Sequence, residues 1–119
     1  MPETGMGSVK VANEVIAHIA SLTAVQVQGV AGMYPARSRD SSRLLNSGAA
    51  HRGVRVEMSN ETLTLDLFLV VDSSAHVPSV AAEVQRQVVD AIDKMLGLEV
   101  RQVNIFVGDV RFPEDGARG

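Results

Sequence analysis

The chain reads as a single α+β domain in the order helix, strand, strand, helix, strand, with a three-stranded sheet covered on one face by two helices. Three observations predict it. In Thr62–Val71, T-L-T-L-D-L-F-L-V-V, the residues Leu63, Leu65, Leu67, Leu69 and Val71 recur every second position, the period of a strand packed on a core. Two other segments switch to steps of three and four, the period of a helix face. The length of 119 residues suffices for one core without cross-links.

In order, residues 1–7 read as a flexible lead, residues 8–112 as the domain, with a long loop at 34–52, and residues 113–119 as a flexible tail. Val9 and Val11 alternate briefly before the first helix begins. Asn13 is the expected N-cap, Glu14 favours the first turn, and Val15, Ile16, Ile19, Ala20 and Thr23 share the predicted buried face. Gly29 and Gly32 stop this helix. The segment Tyr34–Arg52 is rich in Ser and Arg, and Leu44-Leu45 is its one candidate helical turn. Val54, Val56 and Met58 alternate with Arg55 and Glu57, and Ser59-Asn60-Glu61 supplies the turn of a hairpin into the leucine strand. Pro78 suits the first turn of the second helix, whose stripe is Val80, Val84, Val88, Ala91, Ile92 and Met95 and whose stop is Gly97. Glu83, Gln85, Arg86, Gln87, Asp90, Asp93 and Lys94 form its solvated side. In the last strand Leu98 and Val100 keep one phase and Val103, Ile105 and Val107 the other, which predicts a bulge near Arg101 and Gln102. A right-handed crossover places this strand parallel to the leucine strand. The simplest sheet has Val54–Met58 in the middle, and its uncovered face carries Phe68, Val70 and Phe106.

Composition narrows the function. A formal charge of −3 argues against binding nucleic acid through bulk charge. The absence of cysteine excludes disulfides and thiolate metal sites. No apolar run approaches the roughly 20 residues of a membrane helix, so direct membrane insertion is not expected. His18, His51 and His76 are not at ligand spacing, and the serines at 38, 41, 42, 73 and 74 lack a nucleophile elbow. No catalytic residue, cofactor or metal is expected. Gly29-Val30-Ala31-Gly32 is a G-x-x-G, which in KH domains clamps a nucleic-acid backbone; with the nearby arginines it gives the alternative reading, a KH-like RNA-binding protein. Arg37, Arg39, Arg43 and Arg52 make a local basic excess fit to meet a partner or an anionic surface. Phe68, Val70 and Phe106, apolar on an open face, are the candidate self-association residues.

Six segments in order resemble one family: V-K-V-A-N-E-V-I-A-H-I-A (Val9–Ala20), V-Q-G-V-A-G-M (Val27–Met33), G-V-R-V-E (Gly53–Glu57), L-T-L-D-L-F-L-V-V (Leu63–Val71), V-P-S-V-A-A-E-V-Q (Val77–Gln85) and M-L-G-L-E-V-R-Q-V-N-I-F-V (Met95–Val107). Together they are similar to the alkaline shock protein family of Gram-positive bacteria, which serves the envelope stress response. The resemblance implies a cytoplasmic, non-enzymatic protein that self-associates as a homo-oligomer and reaches the membrane through a membrane-anchored protein partner. It supplies no catalytic residues. Asp72-Ser73-Ser74-Ala75, and Leu96 before Gly97, depart from the family's usual pattern.

Overall fold

The computed structural model describes residues 7–34 and 50–113. Its elements are α1 (Asn13–Val25), β1 (Val30–Met33), β2 (Ala50–His51), β3 (Val54–Ser59), β4 (Thr62–Asp72), α2 (Val77–Leu96) and β5 (Glu99–Arg111). The α+β class, the helix order and the three long strands agree with the sequence reading. Two short strands are added, β1 and β2, so among the described residues the sheet has five strands.

β4 is the hub. Its burial alternates along the whole strand, with Leu63, Leu65, Leu67 and Leu69 fully buried and Val71 nearly so. One edge of β4 pairs with β5 in parallel, as the crossover through α2 requires. The other edge is shared end to end: β3 pairs antiparallel with Thr62–Leu67, and β1 with Leu69–Val71. This corrects the expectation that Val54–Met58 is the middle strand. β3 covers only half of a strand nearly twice its length, so β4 takes partners on both edges, and among the described residues β3 itself has only the two-residue β2 beyond it. Phe68 sits at the junction, its carbonyl accepting from Tyr34 N–H (2.8 Å) and its N–H donating to the Gly53 carbonyl (2.9 Å).

The β3–β4 hairpin closes with Ser59 opposite Thr62, leaving Asn60 and Glu61 as a two-residue loop with φ of 51° and 68°. Positive φ at both positions is what a tight hairpin twisted like its strands demands. In β5 the register slips between Val100 and Gln102, so Arg101 is the extra residue of the predicted bulge. That slip puts Val100 and Val103 on the same face, opposite Leu63 and Leu65. A second slip, between Val107 and Asp109, leaves Gly108 unmatched.

Both helices lie on the leucine face. Val80, Val84, Val88 and Ile92 of α2 join Ile16, Ala17, Ala20 and Ala24 of α1, Val54 and Val56 of β3, and Val103 in one buried cluster. Each fully buried aliphatic side chain contributes about 1.5–3 kcal/mol, which fixes the helices to the sheet. Met95, assigned to the stripe, is exposed, and Leu96 packs against the core in its place. The face of α1 is rotated from the expected one: Val15 is 45% exposed, and Ala17, Ser21 and Ala24 are buried instead. Alanines there let α1 come close to its neighbours, so small size outweighs greater hydrophobicity. The N-cap is Ala12 without a side-chain bond, one residue before Asn13.

Candidate functional site

The outer face of the sheet is built by the even-numbered residues of β4 and their register partners. Thr64 lies beside Gln102, Asp66 beside Asn104 and Arg55, Phe68 beside Phe106, and Val70 beside Gly32 and Asp109. These pairs share a face because the two bulges in β5 preserve its alternation either side of Arg101 and Gly108.

Two neighbourhoods result. Toward the start of β4, Asn104 Nδ2 donates to Asp66 Oδ1 (2.8 Å) and Gln102 Nε2 donates to Asn104 Oδ1 (2.9 Å). Arg55 Nη1 meets Asp66 Oδ2 at 3.4 Å, a long and partly exposed ion pair worth at most about 1 kcal/mol. The same guanidinium lies 5.6 Å from the centre of the Phe68 ring, within reach of its negative face. Farther along, the Phe68 and Phe106 rings stack at 4.9 Å and 15°. Phe106 keeps 46% of its surface exposed. The Tyr34 ring fills the space that a side chain at residue 108 would need, so Gly108 allows an aromatic from the far edge of β4 to lie across onto β5.

The structure thus brings Phe68, Phe106 and Val70 onto one face with Asp66 and Arg55, whose alternation already set them opposite the leucines and valines, and adds the contacts of Tyr34 and Asn104, which sequence reasoning did not assign there. The residue parity of β4 and β5 carried the first group. The second needed the register, and Tyr34 needed the strand β1 to aim it. Of the arginines, Arg52 is exposed at the turn between β2 and β3 with φ of 54°, whereas Arg37, Arg39, Arg43 and the Leu44-Leu45 turn lie outside the described residues. Within the predicted loop of 34–52, Ala50–His51 is a strand.

The G-x-x-G reading is overturned. Val30–Met33 is a strand paired with β4 instead of a loop between two helices. Gly29 has φ of 102°, and its carbonyl accepts the Asp72 N–H (2.9 Å). A Cβ on it would come within 2.6 Å of Val80 Cγ2, so the glycine serves a tight turn against α2, which removes the phosphate clamp. Among the described residues no three His, Cys, Asp or Glu side chains gather as a metal site, and no helix is long and apolar enough to cross a membrane. A shallow cavity of about 370 Å³ lies at the end of β5 against Asp72, Ser74, Arg111, Phe112 and Pro113.

The profile of the alkaline shock protein 23 family, described as having a cell envelope-related function, matches residues 1–112. The uncharacterized protein YloU of Bacillus subtilis is 33% identical over 110 residues, covering 91% of this chain and 92% of that protein. YqhY of the same organism is 31% identical over 113 residues, at 92% and 82% coverage. A stress response regulator gls24 homolog of Streptococcus pyogenes is 29% identical over 105 residues, covering 86% of this chain and 58% of its own length. Among solved structures, the MamM CTD in a manganese form superposes with a TM-score of 0.51 at 18% identity, covering 84% of this chain and all of that one. Such a likeness extends to the fold alone.

Proposed function

The chain belongs to the alkaline shock protein 23 family, with its cell envelope-related function, and from that membership we propose that it is a non-enzymatic envelope stress response protein. In this reading it works as a self-associating interaction module, a scaffold at the cytoplasmic side of the membrane held there by a membrane-anchored protein partner. The stress response named for the gls24 homologs supports the physiological setting.

The single observation behind self-association is the Phe68–Phe106 stack, which leaves Phe106 46% exposed on the outer sheet face. Aromatic surface left open on a sheet face loses hydrophobic free energy unless something covers it. The polar row at Asp66, Asn104 and Gln102 beside it offers hydrogen-bond partners at the rim, the usual anatomy of an interface. Replacing Phe68 and Phe106 together with serine is expected to shift the size distribution in light scattering toward monomer. A wild-type protein that is already monomeric at high concentration, and unchanged by the substitutions, would sink the reading.

A further inference from the structure

β5 is thirteen residues long, and among the described residues it pairs only along the edge it shares with β4. Its other edge presents N–H and C=O groups to any strand that fits. The Val103 carbonyl already accepts from Gln85 Nε2 of α2 (3.0 Å), an exposed side chain that gives way when a backbone N–H takes its place. Apolar surface flanks that edge on both faces of the sheet: Phe106 (46% exposed) on the outer face, and Val107 (39%) with Val89 of α2 (38%) on the helix side.

We infer that this edge pairs antiparallel with the β5 edge of a second copy, about a twofold axis at Ile105. The inference rests on the self-association reading above and specifies where and how the copies meet. What selects a second copy over an unrelated strand is the sequence of β5 itself. Eleven of its residues are in register with β4, all except Arg101 and Gly108 of the stretch Glu99–Arg111. Read from either end, those eleven have the same order of polar and apolar residues except where Asn104 meets Phe106. Glu99 falls against Arg111, Val100 against Val110, Gln102 against Asp109, Val103 against Val107, Asn104 against Phe106, and Ile105 against itself.

The faces agree as well. Directly opposed residues of antiparallel strands share a face. Glu99, Gln102, Asn104, Phe106, Asp109 and Arg111 are on the outer face, and the valines and Ile105 are on the helix face. Charges at the two ends are complementary, and the twofold makes each Glu99–Arg111 pair occur twice. Arg101, extruded at the bulge, comes beside Asp109 and adds a second opposite charge. Glu99, Arg101, Asp109 and Arg111 are all exposed, and none is ion-paired with another described residue. Pairing puts the exposed part of Phe106 against Asn104 and, on the diagonal, Phe106 of the other copy, and Val107 against Val103. The product is one continuous sheet with the helices of both copies on the same side.

The test uses two charge reversals in the full chain, Glu99→Arg and Arg111→Glu, followed by sedimentation equilibrium. Each variant alone opposes like charges at both symmetric pairs and is expected to weaken dimerisation on the order of 30-fold. Mixed in equal amounts, the two variants form a heterodimer in which both pairs are again complementary, so affinity returns to near the wild-type value. A loss confined to misfolding does not recover on mixing, and melting curves of the single variants report it independently. If the wild type dimerises but neither reversal nor mixing changes it, while Phe68→Ser does, the copies meet face to face and edge pairing is overturned with self-association intact. A wild type that stays monomeric overturns both.

Discussion

The two faces of β4 are made by the same eleven residues and obey opposite rules. The odd-numbered face is uniform, four leucines and a valine all removed from solvent, and its only variable is volume. The even-numbered face changes from Thr62, Thr64 and Asp66 to Phe68 and Val70, and every residue on it keeps part of its surface in water. Packing on the first face is satisfied within one chain, by α1 and α2. On the second, among the described residues, it is satisfied only in part, by the Phe68–Phe106 stack, the Tyr34 ring and the Asp66 hydrogen bonds. The lesson is that burial and exposure are assigned residue by residue along one strand, so either face can be altered with little effect on the other.

That separation can be broken first at adjacent positions. Leu67→Ala on the buried face should cost about 2–5 kcal/mol in urea denaturation, because α1 and α2 cannot close over the lost volume. Phe68→Ser, its neighbour on the outer face, should cost less than Leu67→Ala while changing the association state. Equal costs for the two would show that the outer face is core after all.

A smaller effect sharpens the description of the outer face. Gly108→Ala puts a methyl group where the Tyr34 ring lies and should cost about 1–3 kcal/mol. In a Tyr34→Ala background the same change should cost almost nothing, since the ring it displaces is gone. A double-mutant cycle in thermal melts reads this coupling, and additivity would mean that the ring does not rest on Gly108.

The smallest effect belongs to neither face. Glu83 on α2 is held below the usual carboxylate range by a hydrogen bond from Gln87, then by Arg86, which donates to both of its oxygens and attracts its charge. A carboxyl lowered on folding stabilises above its unfolded pKa and loses that contribution as pH falls through the folded value. Wild type and Glu83→Gln should therefore differ slightly in melting temperature at neutral pH and converge on the acid side. Divergence on acidification would reverse the sign and the assignment.

Much of this was legible in the chain before any coordinates. β4, α2 and the bulge at Arg101 follow from apolar spacing alone, because burial on one face writes a period that no other constraint erases there. β1 left no such mark. Val30–Met33 is four residues with a glycine inside and another just before it, so turn punctuation masks a strand whose partner lies about forty residues away. α1 misled for a different reason: it is apolar on nearly every side, so Val15 and Ala17 compete for the core and only the closeness of the neighbouring elements decides. The parity of Phe68 and Phe106 was readable, but their stacking, the Asp66–Asn104 bond and the self-matching order of β5 all depend on a register that two bulges set.

Phe68 holds the chain on both sides of the long connection, Tyr34 bonding to its carbonyl and Gly53 to its N–H. The departure and return points are thus fixed within a single residue of β4, whatever length of polypeptide is strung between them. Lengthening a tether whose ends are already fastened costs only about 0.6 kcal/mol for each doubling. Relatives or engineered versions can therefore carry a shortened, extended or replaced segment at residues 35–49, even a foreign epitope, while the sheet keeps its register.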